Sequence, residues 1–354
     1  MATQSVLIVG TGLIGTSIAI GLVAQDYPVF LSDTNDAAAT FAAEKSGARV
    51  WDGNQQVDLV IVATPPAVTA DVLREMLDSQ PHAIVTDVSS VKGSIFDSLN
   101  DLDAASAQRL IGSHPMAGRE ISGVTGAQSN LFVDRPWVIT RTAHSSKAAY
   151  DAVTDVALTL GAVPIDRTIE EHDRAVALIS HTPQVVASVL ASQLVDAQQH
   201  DVELAGQGIR DTIRIASSNA DLWGQILAGN AREVSARVRQ VAHGLEAVAH
   251  ALDTRDNDVV EDTLIKGATG RDRLPGKHGT GAKNSATLTV RVEDKPGELA
   301  RLFAVAAASQ VNLEDVRIDH SLGRMTGLVE LSVDPESTQT LIDALVSAEF
   351  VVVQ

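Results

Sequence analysis

A strand that runs into a glycine-rich turn and on into a helix narrows the folds open to this chain more than any other stretch. Ser5-Val-Leu-Ile-Val9 is a short continuous apolar run, the pattern of a strand buried on both faces. It leads straight into Gly10-Thr11-Gly12-Leu13-Ile14-Gly15, then into the helically spaced Ile18, Leu22 and Val23. Gly10 predicts a tight turn, and Gly15 predicts close packing of helix on strand. Gly12, Leu13 and Ile14 form a cradle of backbone amides open to a pyrophosphate. The next strand, Val29–Ser32, ends at Asp33, roughly 20 residues past the glycines, where a carboxylate accepts from ribose hydroxyls and repels a 2′-phosphate. The reading is NAD rather than NADP, because Thr34 and Asn35 add no basic counter-charge.

The α/β alternation continues through strands at Asp58–Ala63, Ala83–Asp87, Arg109–Ser113, Pro136–Thr140 and Ala162–Ile165. Ligands of a doubly wound sheet sit beyond the carboxyl ends of its strands. Thr64, Ser90 and His114 fall at such ends. Pro115 biases His114 towards an extended backbone and predicts an imidazole projecting from a strand end. Histidine exchanges protons near neutral pH, so His114 is the candidate base, with Ser90 sharing the same reacting hydroxyl. A hydrogen-bonded turn histidine and an ordinary turn serine are the plain alternatives.

From about Thr168 the pattern turns all-helical. Asp173–Gln199 is mostly apolar and interrupted by Pro183, which predicts a kink beside His181, with Arg174 and His181 on one face. His181 alone fits a satisfied core histidine as well as a ligand. In Gly206-Gln207-Gly208-Ile-Arg210-Asp211-Thr-Ile-Arg214, the arginines share a helix face and Asp211 stands three before Arg214. An arginine fixed by a carboxylate offers a planar fork to a second carboxylate. Ser218 with Asp221 predicts a helix start before Trp223. A solvated ion-paired face and core packing of Trp223 are the alternatives. Helices Ala231–Ala251 and Val259–Ile265 complete this middle region.

Residues 267–285 read as a polar linker. Beyond it the pattern is βαββαβ, a ferredoxin-like unit, with Asp294-Lys-Pro296-Gly297-Glu298 opening its first helix. The expected domains are 1–167, 168–266 and 286–354.

Charge and cysteine usage exclude whole classes of partner. Lys+Arg of 27 against Asp+Glu of 45 gives a net charge of −18, which repels nucleic acid and anionic lipid. With no cysteine there is no disulfide framework and no thiol chemistry, as in a reducing cytosol. No signal-peptide pattern and no apolar run of membrane-spanning length are read, so the expectation is a cytoplasmic protein. A nucleotide domain joined to an apolar helical one predicts a homodimer.

Taken together, Gly10/Gly12/Gly15, Asp87-Val-Ser-Ser90-Val-Lys92-Gly93, Gly112-Ser-His114-Pro-Met-Ala-Gly118, Ile179-Ser-His181-Thr-Pro183 and Arg210-Asp211-Thr-Ile-Arg214 closely resemble prephenate dehydrogenase. The resemblance implies a Rossmann-type sheet, an all-α dimerisation domain and a C-terminal ACT domain with its ligand turn at Asp294, Pro296, Gly297 and Glu298. It implies oxidative decarboxylation of prephenate to 4-hydroxyphenylpyruvate in tyrosine biosynthesis, with NAD, without a metal, and under tyrosine inhibition. His114 would take the ring hydroxyl proton and Ser90 orient it. Arg214 would bind the ring carboxylate, steadied by Asp211, with His181, Trp223 and Gln207 around the substrate. Gln207 departs from the three glycines of many relatives and leaves prephenate or arogenate open. A β-hydroxyacid dehydrogenase would need a lysine between Asp173 and Trp223, where none stands. A sensor that binds NAD without turnover is the reading from another class, disfavoured by Ser90, His114 and Arg214 occurring together.

Overall fold

The computed structural model describes residues 4–119, 121, 123–274, 286–320 and 326–353. By internal contacts the chain divides into two units, Met1–Ala242 and His243–Gln354.

The first unit is built on an eight-stranded sheet. Its strands are β1 (Val6–Val9), β2 (Val29–Ser32), β3 (Arg49–Val50), β4 (Leu59–Val62), β5 (Ile84–Asp87), β6 (Leu110–Pro115), β7 (Pro136–Thr140) and β8 (Val163–Arg167). The order is β3-β2-β1-β4-β5-β6-β7-β8. All neighbours are parallel except β6 and β7, where His114 pairs with Val138. The apolar runs form central strands because each buries both faces. Val6 and Ile8 pack on one side of the sheet and Leu7 on the other, all 0% exposed. Full burial of one such side chain is worth about 1.5–3 kcal/mol. The strand order reverses at β1, between β2 and β4, and opens a crevice at their carboxyl ends.

The helical segment that follows starts with a capping box, Thr168 with Glu171, and runs through Ile169–Val176 into a π-helical turn, Ala177–His181, and on to Thr182–Ser192. Pro183 was expected to kink this helix. The wider turn absorbs the missing N–H without a break. That extra residue also rotates the register, so Arg174 is exposed while His181 is buried, contrary to the shared face expected. Ile169–Ser192 is moreover long and apolar enough to cross a membrane by length and composition, and is 33% buried in its most apolar window. The expected absence of such a run is corrected by this helix, in which π and α turns join two shorter apolar stretches.

Asn219, not Ser218, caps the helix Ala220–Gly229, accepting from Leu222 N at 2.9 Å. Helices Ala231–Thr254 and Asn257–Arg271 follow. The expected linker therefore starts late, with 267–271 still helical, and its residues 275–285 lie outside the described residues.

In the second unit β9 (Ala286–Glu293), β10 (Leu313–His320), β11 (Thr326–Val333) and β12 (Val351–Val353) form an antiparallel sheet in the order β10-β11-β9-β12. With helices Glu298–Ala308 and Thr338–Ser347 this is the expected βαββαβ unit. Its core gathers Leu288, Val290, Leu302, Leu331 and Leu341.

Candidate active site

The glycine turn is shaped by space. A Cβ on Gly10, at φ +102°, would meet Ala63 O at 2.5 Å, and one on Gly15 would meet Gly10 O at 2.0 Å. A Cβ on Gly12 would meet nothing within 4 Å. Gly12 is also the N-cap of the helix Leu13–Val23 and offers no capping side chain, so the first amides, Leu13 and Ile14 among them, are left without a side-chain cap. This is the cradle a pyrophosphate needs. Thr64, at the end of β4, lies 3.1 Å from Thr69 across their hydroxyls.

Asp33 is anchored from two sides. Its Oδ2 accepts from the N–H and hydroxyl of Thr11, both at 2.7 Å, and its Oδ1 accepts from Asn35 N at 2.9 Å. Partial burial pushes its pKa up, but these bonds together hold it below the ordinary aspartate value. The Thr34 side chain bonds the same carboxylate, which stands at the end of β2 where a ribose would lie. NAD fits this site.

His114 lies within β6, half-buried, rather than past its end. Its Nδ1 is 2.9 Å from His172 Nε2, and His172 Nδ1 is 2.8 Å from Asp173 Oδ1. The carboxylate can only accept, so the proton of neutral His172 sits on Nδ1. His172 Nε2 is then an acceptor, and Nδ1 of His114 must donate to it. The relay leaves the lone pair of His114 on Nε2, where a base needs it.

Asp173 is clamped in turn. Lys92 N and Gly93 N donate to its two oxygens at 3.0 and 2.7 Å. Lys92 extends its ammonium to Asp87, both side chains being fully buried. The second Asp87 oxygen has no partner among the described residues. Burial pulls Lys92 below its usual pKa while Asp87 opposes the shift. Burial first, then the fields of His172, Lys92 and His181, hold His114 well below the ordinary histidine value. His114 is therefore a neutral acceptor at physiological pH.

His181, 1% exposed, sits edge-on to Trp223 with ring centroids 6.1 Å apart. Other expected groups are less concentrated. Ser90 is half-buried and its hydroxyl makes no hydrogen bond among the described residues, so His172 takes the place expected of Ser90 beside His114. Asp211 accepts from Gln207 Nε2 at 2.8 Å. Gln207, Asp211 and Arg214 are exposed in the single chain.

Sequence reasoning missed His172, Asp173, Lys92 and Asn230 as site residues. One signal was readable: the capping box Thr168-x-x-Glu171 fixes the helix start directly before His172-Asp173.

In the C-terminal unit Gly297 adopts φ +93° at the turn before the helix Glu298–Ala308. Glu298 is held by Arg301 at 2.8 Å, and Arg301 also lies over the Phe350 ring at 3.9 Å. Asp294 and Pro296 stand exposed in the same turn.

Two family models match the chain: the nucleotide-binding domain of prephenate dehydrogenase over residues 25–166, and its dimerization domain over 168–266. The Streptomyces niveus protein named "Probable prephenate dehydrogenase NovF" is 29% identical over 353 residues, covering 97% of each chain. The prephenate dehydrogenase of Lactococcus lactis subsp. cremoris is 29% identical over 313 residues, covering 85% of this chain and 86% of that one. The structure of prephenate dehydrogenase from A. aeolicus, in complex with hydroxyphenyl propionate and NAD+, shares the fold at a TM-score of 0.70 and 24% identity, covering 77% of this chain and 98% of that one. The order of the sheet, the histidine at its carboxyl edge and these matches lead to one conclusion: the chain belongs to the prephenate dehydrogenase family.

Proposed function

We propose that the protein is an NAD-dependent prephenate dehydrogenase, and that the observation carrying its chemistry is the His114–His172–Asp173 relay. NAD, when bound at the glycine turn, supplies the two-electron acceptor. His114 Nε2 takes the proton of the substrate's ring hydroxyl as that carbon is oxidised, and the imidazolium is steadied through His172 by Asp173. The ring carboxylate leaves as CO₂, and the product is 4-hydroxyphenylpyruvate. Arg214 anchors the substrate's carboxylate, Ser90 borders the hydroxyl, and His181, Trp223, Asp211 and Gln207 line the remaining substrate space.

Further parts of the reading extend to the whole assembly. The C-terminal βαββαβ unit acts as an ACT domain, taking tyrosine at the Asp294–Glu298 turn. Domains at 1–167, 168–266 and 286–354 suit the sheet, the helices and this unit. Exposed apolar residues along the helical segment, Leu178 at 54% and Val189 at 58%, support a homodimer. An acidic, cysteine-free chain suits the cytoplasm. The deciding experiment is NADH formation on prephenate and on arogenate, with and without tyrosine. Turnover on neither substrate would refute the enzyme reading, and insensitivity to tyrosine would refute the regulatory one.

A further inference from the structure

Asn230 follows the helix Ala220–Gly229 and is 5% exposed. Its Nδ2 donates to the main-chain carbonyl of Asp173 at 2.7 Å and lies 3.3 Å from His181 Nδ1. A peptide carbonyl accepts and never donates, so the first contact decides which end of the amide is nitrogen. The second N–H of that nitrogen then meets His181 Nδ1, which must carry a lone pair. A neutral imidazole has one N–H, and here it is left on Nε2. Among the described residues nothing else bonds that ring, and Trp223 stands edge-on beside it at 85°.

We propose that Asn230 is a positioning residue that sets His181 as the Nε2–H tautomer, so that the ring offers a hydrogen-bond donor to an acceptor oxygen of the substrate, carboxylate or keto. The inference rests on the proposed place of His181 at the substrate. A lone pair in that position would face the anion's own lone pairs and leave both unsatisfied. The charged and titratable groups around His181 are Asp173 and His172 on the helix Ile169–Val176 and His114 on β6. The helix Ala220–Gly229 turns Trp223 towards it, while Asp221 on that helix is exposed. Burial lowers the His181 pKa to about 4, which keeps the ring neutral and the tautomer meaningful.

Two measurements test this. In full-length protein labelled with ¹⁵N-histidine, long-range ¹H–¹⁵N correlations at pH 7.5 should show His181 protonated on Nε2, the signal assigned by its loss in His181→Gln. Asn230→Asp replaces the donor with an acceptor, moves the His181 proton to Nδ1 and turns a lone pair on the substrate. Its KM for prephenate should rise about tenfold at pH 8, the worth of one mismatched hydrogen bond. It should fall back as the pH drops to 6, because the introduced carboxylate raises the His181 pKa and a second proton restores Nε2–H, with kcat changing less than KM. A purely structural role would not give a KM that recovers on acidification. An Nδ1–H signal in the unaltered protein overturns the proposal, even if Asn230→Asp does not fold. A variant KM equal to the unaltered protein's at every pH overturns it too. Failure of the enzyme reading shows separately, as unaltered protein that makes no NADH from prephenate while the spectrum still reports Nε2–H; that outcome removes the substrate from the proposal and overturns it.

Discussion

His172 Nε2 lies 2.9 Å from His114 Nδ1, joining a residue of strand β6 to one in the first turns of the helical region, fifty-eight positions later. This contact decides which nitrogen of His114 can act as a base. The strand places the ring, and the helix decides where its proton sits.

Replacing His114 with Asn should remove the base while leaving the glycine turn intact. We expect kcat to fall by roughly 10²–10⁴, the usual worth of general-base catalysis, with NAD affinity unchanged by calorimetry. Near-normal turnover would move the base elsewhere.

Breaking the relay behind His114 should be milder but in the same direction. His172→Leu removes the acceptor at His114 Nδ1 and should lower kcat by about tenfold or more. Gly93→Ala should act at one remove, since its Cβ would stand 2.8 Å from Asp173 Oδ2 and push the carboxylate from its clamp. Stopped-flow rates separate the two effects from folding losses, and a Gly93→Ala enzyme with an unaltered rate would mean that the clamp is dispensable.

Arg214→Ala should raise KM for prephenate by about tenfold or more, because a bound carboxylate loses its counter-charge. Steady-state kinetics at saturating NAD reads this directly, and an unmoved KM would assign the anchor to another residue.

Asp33→Ala should narrow the preference for NAD over NADP, since the carboxylate proposed to face the ribose is gone. The ratio of kcat/KM for the two cofactors is the measurement. Because Asp33 also ties Thr11 to the end of β2, some loss of thermal stability should accompany the change. An unchanged ratio would leave Asp33 only that second, structural role.

Stability should depend on pH in the histidine range. Burial depresses His114, His172 and His181 in the folded chain, the last to about 4. Between these values and the unfolded value near 6.5 the unfolded chain binds more protons. Their contribution is therefore fully present above about pH 6.5 and is lost as the pH falls towards 4. Urea unfolding from pH 7 to 5 should show falling stability, by up to about 1.4 kcal/mol per pH unit for each histidine that titrates differently. His181→Gln should flatten the slope, and a flat profile in the unaltered protein would contradict the burial of these rings.

Much of the fold was legible because it rests on local rules. Continuous apolar runs made Val6–Val9, Leu59–Val62 and Ile84–Asp87 strands, and the glycine spacing after β1 follows from steric limits that act within a few residues. The βαββαβ order of the C-terminal unit was readable from alternation and turn residues in the same way. His114 was marked by its proline and its place at a strand end.

What the chain could not disclose residue by residue depends on contacts between distant segments. That His114 answers to His172 and not to Ser90, and that Lys92 and Gly93 hold Asp173 through backbone amides, follows from how the helix Ile169–Val176 docks near the end of β5. Asn230 reaches His181 where the π turn Ala177–His181 ends, with that histidine buried. Propensity and periodicity act over one or two turns of chain, whereas a proton's position in a buried imidazole is set by whichever donor or acceptor packing brings within 3 Å or so. The sequence alone thus determined which elements form and which residue types could do the chemistry; the tertiary structure decided which nitrogen carries the proton.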